Sequence, residues 1–168
     1  MLQKLAQDPI KPIADLAAKA LDHQQLVAGL KTKPFELKYT AADGSEVDVA
    51  KLRGKVVLVD FWATWCGPCV AEMPGVVGLY KKYHPQGFEI VGVSLDQEKG
   101  AMESFAKKAG MTWPQYFDGQ IWDNKVSSGF GIDQVPQMWL LDKKGMLVAT
   151  ASSVDQVAGQ VGELLKAP

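Results

Sequence analysis

The chain has 168 residues, 47% of them apolar and 22% charged, with 18 basic residues against 19 acidic ones. A chain of this length buries roughly two-thirds or more of the surface it exposes when unfolded, so one core suffices without a disulfide or metal staple. A net charge of -1 gives no electrostatic basis for binding nucleic acid or an anionic membrane, and no apolar run approaches the roughly 20 residues of a membrane helix.

The opening stretch, Met1 to Asp8, lacks the apolar core of a secretory signal, so no signal peptide, anchor or membrane insertion is expected in this chain as written. From Pro12 to Leu30, apolar residues at Ile13, Leu16, Ala17, Ala20 and Leu21 follow helical spacing, with Pro12 suited to a first helical position. Phe35 to Tyr39 and Glu46 to Val49 flank Ala42-Asp43-Gly44-Ser45, whose Asp-Gly pair signals a hairpin. Lys55 to Trp62 is nearly all apolar and predicts a strand buried on both faces, interrupted by the single charge of Asp60. Val70, Met73, Val77 and Tyr80 form a helical stripe, and Phe88 to Leu95 a second apolar strand, which completes a βαβ unit.

Asp96 is placed to cap a helix carrying Met102, Phe105, Ala106 and Ala109, with Gly110 at its end. Trp113 to Gly119 reads as an extended segment and turn. Gln137 to Leu141 and Met146 to Ala149, separated by Asp142-Lys143-Lys144-Gly145, predict a hairpin. Ser153 and Gln156 have the spacing of a capping box before a last helix that runs through Val157, Val161 and Leu165. His84 is expected as a solvated cap after the helix of Tyr80.

The two cysteines, Cys66 and Cys69, stand two residues apart, directly after the buried strand and at the start of a helix. Free backbone N–H groups and the helix dipole favour an anion there, and in such C-x-x-C motifs the first thiol pKa falls to between about 3.5 and 7.5. Cys66 is therefore the expected nucleophile. Cys69, one turn further in and more buried, is placed to attack the mixed disulfide. A zinc site would need two more ligands, and His23 and His84 lack the spacing for it. No metal and no cofactor beyond the redox-active disulfide are expected.

Val59 through Cys69, reading Val-Asp-Phe-Trp-Ala-Thr-Trp-Cys-Gly-Pro-Cys, resembles the active-site segment of thioredoxins. Pro74 lies where that family kinks its active-site helix, and Val135-Pro136 where it keeps a cis-proline facing the disulfide. Within the superfamily, the Gly54-Lys55 strand entrance, Ala63-Thr64-Trp65, Glu72-Met73-Pro74 and the 97–128 insertion are most similar to TlpA/ResA-like thiol-disulfide oxidoreductases. The resemblance implies an α/β thioredoxin fold, a central mixed β-sheet flanked by helices, over residues 33–168. An N-terminal β-hairpin opens it, and an extra helical extension at 1–32 precedes it.

The resemblance also implies an activity: reduction of protein disulfides outside the cytoplasm, in the periplasm or on the outer side of a membrane. Cytochrome c maturation and general thiol redox homeostasis are both within that range. The partners it implies are a disulfide-bearing protein substrate and a thiol electron donor, which in this group is a membrane reductase. Gln137 stands where Thr is usual after the cis-proline.

Two readings of Asp60 stand on the residues alone. A carboxylate among Val, Leu and Phe is desolvated, has a raised pKa and can take the proton of Cys69, or else it sits at a strand edge, facing water or satisfying a backbone amide. The resemblance implies proton transfer. For Glu72, one turn after Cys69, it implies tuning of the sulfurs. A cis Pro136 would leave the Val135 backbone free to pair with an extended substrate, whereas a trans proline at a strand start would not. Trp65, with Gly67 and Pro68, is expected to present an exposed contact surface, while Trp62 and Trp139 belong to the core. The rival function is Cu(I) binding or delivery by the two thiolates, although only Met73 offers an additional soft ligand near them.

Overall fold

The computed structural model describes residues 1–7 and 9–168; Asp8, the last residue of the opening stretch, lies outside them. A short helix α1 (Leu2–Leu5) precedes a long helix α2 (Lys11–Leu30), which has proline in its first turn. Leu30 is buried, and Leu26 and Val27 pack against the core, so α2 is seated by its C-terminal half. Only Ala17 of the predicted earlier stripe is buried, and Leu16 points into solvent.

Strands β1 (Lys38–Thr40) and β2 (Glu46–Asp48) form the expected antiparallel hairpin as a separate two-stranded sheet. Gly44 has a φ of 87° at the turn, a conformation that glycine adopts without steric cost. Both strands are shorter than predicted. Phe35 gives its N–H to the Gly145 carbonyl at 2.7 Å, and Val49 begins a 3-10 turn capped by the Asp48 carboxylate.

The main sheet combines β3 (Val56–Trp62), β4 (Phe88–Ser94), β5 (Gln115–Tyr116), β6 (Gln137–Leu141) and β7 (Leu147–Ala151). Their spatial order is β5-β4-β3-β6-β7. The first three run parallel to one another, and β6 and β7 pair antiparallel. Helices α3 (Gly67–Tyr83), α4 (Lys99–Ala109), α5 (Lys125–Gly129) and α6 (Asp155–Lys166) complete the chain.

Every residue of β3 is buried, as its unbroken apolar run requires of a strand covered on both faces. Alternation along the strand sends Phe61 to one face, in edge contact with Trp139, which also meets Phe35 and Phe130. Trp62 goes to the other face, against Phe105 of α4. Each such fully buried large apolar side chain contributes about 1.5–3 kcal/mol.

Two predicted caps are overturned. Asp96 does not cap α4, whose N-cap is Glu98 without a side-chain bond; the Asp96 carboxylate is buried and turned to Thr64 and Ser94 instead. Ser153 does not cap α6, because the helix begins one residue later, after Val154. Gln156 still reaches back, accepting the Ser152 N–H at 3.0 Å. His84 is half exposed and stacked on Tyr80, with Nδ1 3.1 Å from the Phe88 carbonyl. The short helices α1 and α5 carry too few residues for a periodic signal.

Candidate active site

Cys66 is the N-cap of α3 and is disulfide-bonded to Cys69, their Cα atoms 5.2 Å apart. The Cys69 N–H donates to the Cys66 Sγ at 3.2 Å, so one of the helix's free amides already points at the outer sulfur. Cys66 retains 6% of its accessible surface and Cys69 only 1%. Both cysteines are buried, and Cys66 is the less buried of the two. Gly67 and Pro68 between them are exposed, with Pro68 in the first helical turn, where its missing N–H removes no helical bond. Pro74 lies inside the same helix and Met73 is buried in it.

Asp60 sits in the middle of the central strand, registered between Gly92 and Met138. It is buried, and neither carboxyl oxygen has a hydrogen-bonding side chain or amide. Burial, and after it the charge of Glu72, pushes its pKa up to about 7. The edge reading of Asp60 is thereby excluded. Glu72 is half-buried on α3, and its Oε2 accepts the Val154 N–H at 2.7 Å. The carboxylate of the active-site helix thus caps the start of α6, a contact that sequence spacing does not signal because it joins residues 82 apart.

The loop before Cys66 is tied down by Asp96. Its Oδ1 accepts the Thr64 N–H at 2.9 Å and the Thr64 hydroxyl at 2.5 Å, and its Oδ2 accepts the Ser94 hydroxyl at 2.8 Å. Trp65 Nε1 donates to the Leu95 carbonyl at 3.1 Å, and its ring meets Trp122 edge-on at 5.7 Å. Sequence reasoning missed Asp96, Asn124 and Trp122 as parts of this region. An Asp just ahead of a helix reads as a cap, and only the parallel pairing of β3 with β4 brings the two loops side by side.

The Val135–Pro136 peptide is cis. Antiparallel pairing of Phe61 with Gln137 brings this peptide to the end of the sheet where β3 delivers Cys66. Val135 and Pro136 are half-buried. Cys66, Cys69, Trp65 and the proline loop therefore share one end of the sheet, while Asp60 lies beneath, within the strand. Among the described residues no group of three or more His, Cys, Asp or Glu side chains is assembled to hold a metal ion.

Residues 27–164 match the Redoxin family. The chain belongs to that family. This Redoxin chain is 33% identical over 128 residues to the thiol-disulfide oxidoreductase ResA of Bacillus thuringiensis, covering 76% of this chain and 70% of the relative. It is 39% identical over 103 residues to ResA of Geobacillus thermodenitrificans, covering 61% of this chain and 58% of that one.

Among solved structures, the thioredoxin domain of a thiol-disulfide oxidoreductase from Bacteroides vulgatus superposes with a TM-score of 0.71 at 25% identity, covering 81% of this chain and 97% of that domain. A thiol:disulfide interchange protein of Chlorobium tepidum gives a TM-score of 0.68 at 25% identity, covering 79% and 95%. The chain is a thiol-disulfide oxidoreductase of the thioredoxin fold, similar to ResA, and acts on disulfide-bearing partners. These relatives give the copper-binding alternative no support.

Proposed function

We propose that this Redoxin chain reduces disulfides of protein substrates through the Cys66–Cys69 dithiol. The observation that carries this reading is the unequal pair of sulfurs at the start of α3 above a buried carboxyl. Cys66 is the more exposed residue of the pair and its sulfur holds an amide hydrogen bond, and helix N-termini favour the thiolate. The Cys66 thiolate attacks one sulfur of the substrate disulfide, forming a mixed disulfide and releasing the other sulfur as a thiolate that takes a proton from water. Cys69 then loses its proton to Asp60, whose pKa near 7 suits it to hold and release a proton near neutrality. The Cys69 thiolate attacks the Cys66 sulfur, expels the second substrate thiol and leaves the Cys66–Cys69 disulfide.

Burial, with the negative charge of Glu72 as a smaller contribution, keeps the Asp60 carboxyl in its protonatable range. Trp65, Gly67, Pro68 and the Val135–Pro136 peptide form the substrate-facing surface. A dithiol donor returns two electrons to the disulfide, with no other cofactor. By its similarity to ResA we assign this cycle to an extracytoplasmic compartment, with a membrane thiol reductase as donor and cytochrome c maturation as one outlet. Among the described residues no helix is long and apolar enough to cross a membrane.

Equilibration with glutathione and dithiothreitol buffers, followed by thiol trapping, tests the direction of electron flow. A potential near about -270 mV or lower supports a reductase, and one near about -120 mV makes the chain an oxidant.

A further inference from the structure

Two large aromatic side chains stand out of the surface beside the disulfide, and only one belongs to the cysteine motif. Trp65 is 49% exposed and Trp122 is 42% exposed. Their ring centroids lie 5.7 Å apart with planes at 61°. Tryptophan is among the side chains most enriched where protein partners bind, since it offers a large apolar body at low entropic cost.

The backbone that presents Trp122 is strained. Ile121 has a φ of 51°, a left-handed conformation that a β-branched residue adopts only where its surroundings over-determine it. Those surroundings are polar anchors on both sides. Asp118 accepts the Gln120 N–H at 3.0 Å and the Lys125 N–H at 2.9 Å. Asn124, fully buried, donates to the Ser94 carbonyl at 3.1 Å and accepts the N–H groups of Val126 and Ser127. The anchor at Ser94 belongs to the same cluster that ties down the loop before Cys66.

Trp122 also walls an open trough of about 770 Å³, bounded by Leu16 and His23 of α2 and by Ile132, Asp133 and Gln134. Gln134 directly precedes the cis Val135–Pro136 peptide. The trough and the ring pair therefore run between the two elements assigned above to substrate contact. Leu16, on the far wall, is exposed although it is a large apolar residue.

We infer that Trp122 is a specificity-determining residue. Together with Trp65 and the trough walled by Leu16, it receives an apolar side chain of a polypeptide substrate, close in sequence to the cysteine that reacts with Cys66. This rests on the reading of the Cys66 dithiol as a reductant of protein disulfides. The occupant follows from continuity with the redox centre. A polypeptide whose sulfur reaches Cys66 carries its neighbours over the ring of Trp65, and at about 3.3 Å per residue the side chain about two positions away reaches Trp122.

The test uses peptides closed by an internal disulfide, identical except for Leu or Ser two positions from one cysteine, mixed with the reduced full-length protein. Single-turnover rates are read by acid trapping and mass spectrometry. Each turnover oxidises the Cys66–Cys69 dithiol and reduces the peptide disulfide to two thiols, so no other reductant enters. The protein is expected to prefer Leu over Ser by about tenfold, the scale of half-burying a leucine side chain. Trp122→Ala brings that ratio to within about twofold of unity, and Trp122→Phe retains most of it.

Leu16→Ser, remote from the redox loop, lowers the ratio from the far wall and decides the matter should Trp122→Ala fail to fold. A ratio near unity in the unaltered protein overturns the inference, as does one that Trp122→Ala, or Leu16→Ser in its place, leaves unchanged. Failure of the unaltered protein to reduce even a small aromatic disulfide overturns the reading of the dithiol beneath it instead.

Discussion

Asp60→Asn in the oxidised protein is expected to change how stability depends on pH, and the size of the change follows from the burial of one carboxyl. Burial and the Glu72 charge raise the pKa of Asp60 from an ordinary 3.8 to about 7. In the unfolded chain the group ionises near its ordinary value. Between about pH 4 and about pH 7 the folded state therefore binds more protons than the unfolded one, and stability falls as pH rises.

The slope is about 1.4 kcal/mol per pH unit, which accumulates to an upper limit of about 4 kcal/mol above pH 7. Below about pH 4 both states hold the neutral acid and the contribution is complete. Asn is neutral throughout and nearly isosteric with the protonated acid, so the variant lacks this slope. Urea unfolding of both oxidised proteins from about pH 4 to about pH 9 measures the difference directly, with no thiol free to titrate. The two curves should meet near pH 4 and diverge upward, with the variant more stable at alkaline pH. Parallel curves across that range would show that Asp60 ionises normally and would refute its proton-holding role.

Glu72→Gln keeps an acceptor for the Val154 N–H but removes the charge that helps to raise Asp60; the pH at which the stability curve flattens should move below 7, whereas an unmoved curve would detach Glu72 from the site. Cys69→Ser is expected to trap a mixed disulfide between Cys66 and a substrate protein, visible as a covalent adduct that dithiothreitol releases, while Cys66→Ser traps none. An adduct found only with Cys66→Ser would reverse the two roles. In Gly92→Ala the new methyl group overlaps the side-chain amide of Gln115, which holds Trp62 Nε1 at 2.9 Å. Overpacking together with loss of that buried bond predicts a loss of about 2–4 kcal/mol in urea unfolding, and a loss below about 0.5 kcal/mol would mean that Gln115 can move aside without cost.

Local chemistry made much of this protein legible in one dimension. The unbroken apolar run of β3, the helix opened by Cys66-Gly67-Pro68-Cys69 and the turn at Asp43-Gly44 each depend on residues that are neighbours in the chain. The run left Asp60 open to a buried or an edge position, and only the sheet, with β3 covered on both faces, decided that its carboxyl is buried. What required the tertiary structure were contacts between residues far apart in sequence. Asp96 reads as a helix cap until parallel pairing of β3 and β4 sets its carboxylate against Thr64, and the bond from the Val154 N–H to Glu72 has no sequence signal until α6 starts beside α3.

Trp122 carries no motif at all, and its place beside Trp65 comes from buried anchors at Asn124 and a left-handed Ile121. Periodicity and motif spacing report on secondary structure and on groups held by one segment. The protonation of Asp60, the tethering of Glu72 and the surface offered to a partner depend on which segments meet, and that is decided only when the whole core closes.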